Sequence, residues 1–221
     1  MGRLPQTLGL IMNVACIIEF VSIAKDTVII TAGVVGAYVA LRGLSTWNRQ
    51  LKGGIEYDLT RRILKCTYRL REAIKGVRKP VMWANEMPVP PEVDASKMSK
   101  DQLRHYGLAN SYQKRWDKVT EVRTDLQTEM LEAEAIWGRV IYEKFEPIFK
   151  LQQELFSSVH AYVSACNPNE SPQSRAAYEG IMRRQRDILY DLSSETPDEY
   201  TQNITHAIEA IELLLKPHLR K

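Results

Sequence analysis

Residues 27–47 constrain this chain more than any other part of it. They read TVIITAGVVGAYVALRGLSTW, apolar and small, with a single charge at Arg42. As a helix rising 1.5 Å per residue they would extend about 31 Å, close to the hydrocarbon thickness of a bilayer. The spacing and length predict a membrane-spanning helix over 27–47.

The apolar stretch at residues 8–24 is less clean, because Asn13 and Glu19 interrupt it. Lys25 and Asp26 separate the two stretches without Gly or Pro, so a tight hairpin is poorly encoded. The expected reading is an interfacial helix, or an extension of the span, over 1–26. A second span is the main alternative, and a charge such as Glu19 near mid-membrane would oppose it by about 2.5–3.5 kcal/mol. A third reading is a cleaved signal peptide, with Arg3, the apolar 8–18 core and Ser22-Ile23-Ala24 standing for its three regions.

Charge is distributed unevenly over the 221 residues. From Arg42 to Lys79 there are eleven Lys or Arg against three Asp or Glu, whereas from Pro80 to Lys221 there are 17 against 22. Arg42, Arg49, Lys52, Arg61 and Arg62 follow the span closely, while Arg3 and the self-cancelling Lys25–Asp26 precede it. The positive-inside rule then predicts a cytoplasmic C-terminal body. Arg42, Trp47, Arg49 and Lys52 are the candidate lipid-headgroup contacts, since cations and Trp both suit the interface. The basic collar either binds anionic lipid or only fixes topology. Nucleic acid is not an expected partner, because the arginines alternate with an apolar seam and no binding motif occurs.

Within the span, Ala32, Gly36 and Ala40 repeat every four residues, with Gly33 and Ala37 as a parallel row. Small residues at that spacing let two helices approach, which makes the row a candidate for self-association. The opposing reading is that small residues are simply common in spans.

A juxtamembrane helix is expected over 48–79. Ile55, Leu59, Ile63, Cys66, Leu70, Ala73 and Val77 follow a 4-4-3-4-3-4 spacing, nearly a heptad seam. Lys79-Pro80 ends it. Pro88, Pro90, Pro91 and Asp94 mark a linker over 80–100, and Ser99 can cap the next helix. One long helix is predicted over 101–165, with Tyr112, Trp116, Val119, Leu126, Met130, Ala133, Trp137 and Val140 on one stripe and Arg123 in its gap. Phe145, Ile148, Gln152, Leu155, Val159 and Tyr162 continue the stripe, and a kink is expected at Pro147. Helices over 173–193 and 197–216 complete the body. The first has Tyr178, Ile181, Gln185, Ile188 and Leu192 on one face, and the second starts at a Thr196–Glu199 capping box with Pro197 at its first position. The fold class is therefore all-α: an N-terminal transmembrane helix, then an elongated antiparallel bundle or coiled coil over 101–221.

Three cysteines at scattered positions make no disulfide framework and suit a reducing cytoplasm. No phosphate-binding, dinucleotide, zinc-protease or nucleophile-elbow motif is present. The four histidines are scattered, and Glu129, Glu132 and Glu134 lack the Glu-x-x-His of a bundle metal site and read as a solvated face. No cofactor, metal, catalytic residue or small-molecule substrate is expected.

Residues 47–71, WNRQLKGGIEYDLTRRILKCTYRLR, resemble a segment of uncharacterised bacterial single-span inner-membrane proteins. There a span leads into W-x-R-Q-L-K-G and then an E-Y-x-L-A-R-R helix. The matching residues are Trp47, Arg49, Gln50, Leu51, Lys52, Gly53, Glu56, Tyr57, Leu59, Arg61 and Arg62, with Thr60 in place of the Ala. The resemblance covers about a quarter of the chain and implies a bacterial inner-membrane location, without an activity. The function expected is a non-enzymatic membrane-anchored scaffold that self-associates or docks another protein through its helical seams. An oligomerising membrane effector or channel-like assembly is the alternative, and an enzyme with an unrecognised site is the third reading.

Overall fold

The computed structural model describes residues 5–82, Glu86, 95–191 and 196–219, and the side chains from Lys25 onward except Asp26 and Ala95. The described chain is all-helical, with five α-helices and no strand among the described residues. It divides into two compact units, Met1–Gly54 and Ile55–Lys221. The expected linker residues Trp83, Pro88, Pro90, Pro91 and Asp94, together with Leu192 and Arg3, lie outside the described residues.

Helix α1 is Pro5–Val77. The boundaries expected at residues 26 and 47 are absent from it. Lys25-Asp26 supplies no residue that breaks a helix, and the backbone is helical at both. A two-span hairpin would need a turn there, and none exists. The side chains that would decide between an interfacial and an inserted 8–24, Glu19 among them, lie outside the description.

The second unit is a helical bundle. Its core takes Leu59, Ile63, Leu70, Ile74 and Val77 from α1. Helix α2 (Lys100–Trp137) adds Tyr112, Val119, Leu126 and Met130. Helix α3 (Val140–Ala165) adds Ile141, Phe145, Ile148 and Leu155. Helix α5 (Glu199–Leu215) adds Tyr200, Ile204, Ile208 and Ile211. Helix α4 (Pro172–Arg184) packs on α3 and buries no residue completely. A 3-10 turn over Lys216–Leu219 follows α5.

The helix ends are chemically specified. Pro80 disfavours helical backbone at Lys79 and stops α1. The freed carbonyls there are met by Arg115 of α2, which is buried and donates to the oxygens of Lys79 at 2.7 Å and Val81 at 2.7 Å. Ser99 caps α2 as expected. Its Oγ accepts from the Gln102 N–H at 3.2 Å, while Gln102 Oε1 accepts from the Ser99 N–H at 2.9 Å.

Three boundaries differ from the sequence reading. The single helix expected over 101–165 is two helices, and the break lies at Gly138, not Pro147. Gly138 has φ 76° and ψ −170°, backbone open essentially to glycine alone. Pro147 lies inside α3 and is exposed, so water can serve the Glu143 carbonyl that it leaves unbonded. The helix expected over 173–193 ends at Arg184. Beyond it, Arg78 accepts the chain into non-helical geometry: its guanidinium donates to the carbonyls of Ile188 at 2.7 Å and Tyr190 at 3.1 Å, and the Asp191 N–H donates to the Arg78 carbonyl at 2.9 Å. Finally, α5 is capped by Asp198, whose carboxylate accepts from the Thr201 N–H at 2.7 Å, not by Thr196. Asp198 wins because its carboxylate also pairs with Arg78.

Candidate functional site

Two surfaces stand out, one in each unit. The first is the apolar face of α1 over 27–47. Val28, Ile29, Ile30, Val34, Val35, Val39, Leu41 and Leu44 are each between 55% and 69% exposed. Leaving eight such aliphatic side chains in water would cost about 10 kcal/mol in all. That is comparable to the whole net stability of a typical domain. Here α1 is the one helix among the described residues long and apolar enough to cross a membrane, and none of its most apolar window is buried. The latter separates it from the core helix of a bundle. Two of its hydroxyls bond back to the helix. Thr31 Oγ1 donates to the Thr27 carbonyl at 2.7 Å, and Ser45 Oγ donates to the Arg42 carbonyl at 2.9 Å. Such internal bonds satisfy side chains that lipid could not.

The candidate headgroup contacts Arg42, Trp47, Arg49 and Lys52 are all exposed on this helix. Arg42 places its guanidinium carbon 5.7 Å from the Tyr38 ring centroid. The row of Ala32, Gly36 and Ala40 is exposed too, and a Cβ built on Gly33 or Gly36 would meet no atom within 4 Å.

The seam expected over 55–77 has a different fate. Leu59, Ile63, Cys66, Leu70 and Val77 are buried, Ala73 is half-buried and Ile55 is exposed. The core also takes Ile74, with Ala73 packed against its edge, so the buried face widens there and still ends on Val77. The buried ones belong to one core cluster with residues of the other helices, and Arg62–Glu129 and Tyr68–Glu212 tie this stretch to α2 and α5. Cys66 is packed as expected, and burial pushes its thiol pKa up. Of the expected solvated acidic face, Glu132 and Glu134 keep side chains 46% and 39% exposed, Glu129 is half-buried, and Arg62 pairs with Glu129 at 2.8 Å and with Glu132. No group of His, Cys, Asp and Glu able to hold a metal occurs among the described residues.

The second surface is a groove of about 930 Å³ in the Ile55–Lys221 unit. Its walls are α1, α2 and the terminal 3-10 turn, and its floor is Leu64, Tyr68, Ala73, Val122 and Leu219. Five cations line it: Arg61, Lys65, Arg69, Lys118 and Lys216. The acids there are Glu72 and Glu121. Arg69 pairs with Asp125 at 2.8 Å, and Lys216 pairs with Glu212 at 2.5 Å. Glu212 also accepts from the Tyr68 hydroxyl at 2.6 Å. Lys216 and Tyr68 together hold the Glu212 carboxyl below the usual range, while burial and that bond push Tyr68 up to about 12. Arg61, Lys65 and Lys118 are exposed and meet no carboxylate among the described residues.

Sequence reasoning placed Arg61 in the collar and did not single out Lys65, Lys118 or Lys216. A usable signal existed in Arg61, Lys65 and Arg69, which recur every four residues and so form one row on a helix. Lys118 and Lys216 join them only through tertiary packing. The chain matches no known family, curated protein or solved structure.

Proposed function

We propose that this protein is a membrane-anchored interaction protein. Residues 27–47 of α1 sit in lipid, and the helical unit over 55–221 is presented in the cytoplasm to another protein. The observation that carries the reading is the wholly exposed aliphatic surface of 27–47, none of which joins the core cluster of the Ile55–Lys221 unit. The basic excess after the span supports the cytoplasmic orientation. The resemblance of residues 47–71 to bacterial inner-membrane proteins supports that compartment. Docking another protein is favoured over self-association through the seam, because the seam is spent inside the bundle.

Alkaline carbonate extraction of membranes from cells expressing the full chain tests the anchor. The protein is expected in the pellet. Val34→Arg combined with Val39→Arg adds about 2.5–3.5 kcal/mol of insertion cost per residue near the centre of the span. That variant is expected in the supernatant. A native chain that extracts fully without detergent would overturn the reading.

A further inference from the structure

We propose that the cationic groove holds the apolar face of an acidic amphipathic helix belonging to a partner protein. The inference rests on the reading of the chain as an interaction protein, and it names the chemistry of what is bound.

The floor supplies the first half of the match. Leu64 and Val122 are buried yet line the groove, flanked by half-buried Tyr68, Ala73 and Leu219. A groove between two helices with such a floor accepts a third helix through side chains at i, i+3, i+4 and i+7. Along α1 the floor and rim extend from Arg61 to Ala73, about 18 Å of helix axis. That is over three turns, the length of a short docking helix.

The rim supplies the second half. Five cations against two acids leave the groove positive, and three of the cations have no counter-charge among the described residues. Their arrangement chooses between occupants. Arg61, Lys65 and Arg69 run down one wall at four-residue steps over about 12 Å. Lys118 stands on α2 and Lys216 opens the terminal turn. A single-headed anionic lipid concentrates its charge at one end and would answer one or two of these groups. A helix with Glu or Asp flanking an apolar stripe answers the unpaired Arg61, Lys65 and Lys118 along its length. Lys65 and Lys118 are also unengaged in the fold, so a ligand meets them without breaking an internal pair.

The test uses the full chain in nanodiscs of zwitterionic lipid and a fluorescein-labelled peptide of about three heptads, with Leu at the apolar positions and Glu on both flanks. Fluorescence anisotropy reads binding. Two controls share its length: one has Lys for every Glu, and the other has the same composition shuffled to destroy the stripe. The Glu peptide is expected to bind, more weakly as salt rises, and each control to bind at least about tenfold more weakly. Lys65→Glu with Lys118→Glu is expected to lose about tenfold in affinity with an unchanged thermal melt. Ala73→Trp, which fills the floor without altering charge, is an independent second variant expected to weaken binding likewise.

Equal binding of the shuffled peptide, or indifference to both variants, would overturn the proposal. So would displacement of the peptide, in zwitterionic nanodiscs, by a soluble short-chain phosphatidylglycerol at stoichiometric amounts, which would assign the groove to lipid. A dimer in detergent that the charge-reversal variant dissociates would also overturn it, by assigning the groove to a second copy. Carbonate extraction is blind to all these outcomes, so the anchor and the groove can fail separately.

Discussion

Arg78 shows how much one side chain organises in the bundle. Its side chain is 3% exposed, yet every polar edge is used. It donates to two carbonyls, to Thr201 Oγ1 at 2.9 Å and to the Asp198 carboxylate, and it lies 4.7 Å from the Tyr200 ring centroid. One guanidinium thus ties the end of α1 to the start of α5. Arg78→Ala would leave those acceptors unpaired and should cost about 3 kcal/mol in urea unfolding of the full chain in micelles. Asp198→Asn should cost less, because it keeps a capping oxygen, and Asp198→Ala should cost about 1 kcal/mol more than Asn through loss of the cap. Burial of Asp198 is outweighed by Arg78 and Thr201, which hold its carboxyl below the ordinary range. A depressed carboxyl stabilises the fold above its unfolded pKa, and the gain drains away as pH falls through the folded one. Wild type should therefore lose more stability than Asp198→Asn between about pH 5 and pH 3. Arg123 is the opposite case. Its Nη1 is buried without a partner and its guanidinium carbon lies 3.0 Å from the Phe149 ring centroid. Burial pushes its pKa down to about 10. Arg123→Met should raise stability by about 1 kcal/mol, since an apolar side chain suits that site better. Arg123 was legible as a residue filling a gap in the apolar stripe, whereas Arg78 counts by composition simply as one cation of a basic collar. The expected seam ran through Ala73 and Val77 and did not mark it, and its burial shows only beside Ile74 in the folded core.

At the level of elements, the apolar periodicity specified which faces are buried, while backbone chemistry decided where helices stop. The stripes through α2, α3 and α5 were legible because burial of Val119, Leu126, Met130, Phe145, Ile148, Leu155, Ile204 and Ile211 follows the 3.6-residue period. The break between α2 and α3 was not. Periodicity continues across it, and Pro147 looked the stronger disruptor. Exposure makes Pro147 cheap, whereas Gly138 adopts backbone that other residues reach only with strain. The two residues therefore predict opposite outcomes. Gly138→Ala should destabilise the chain by about 1–3 kcal/mol. Pro147→Ala should leave its stability equal or higher, because it restores a donor to the Glu143 carbonyl. Thermal melts by far-ultraviolet circular dichroism on both variants would check the pair. If Pro147→Ala proved the more damaging, α3 would owe its geometry to the proline ring. The same logic explains α4. Ile181 and Ile188 share a helical face only on paper, since the Arg78 clamp holds residues 188–191 out of the helix.

For the whole molecule, the decisive quantity is the sidedness of charge. An anchor alone fixes a chain to a bilayer without choosing a face. On the proposed reading, the choice falls to the cations that follow residue 47, which the positive-inside rule keeps on the cytoplasmic side, while the few before residue 27 cancel. The groove proposal depends on that choice, because its partner must share the compartment of the bundle. The cysteines offer a direct reading. Cys166 is exposed and Cys66 is buried with its thiol pKa raised. With Cys16→Ser removing the third thiol, Cys166 is the one cysteine that a membrane-impermeant maleimide should reach rapidly in the native fold. Intact spheroplasts should leave it unlabelled, and inverted vesicles should label it. Rapid labelling in intact spheroplasts would put the bundle outside and remove the cytoplasmic partner from consideration. Reversing Arg49, Lys52, Arg61 and Arg62 to Glu, with Lys added near residue 3, should swap the two results. Loop and flank cations near a span dominate its orientation, so the pattern of labelling should follow them and not the acidic body.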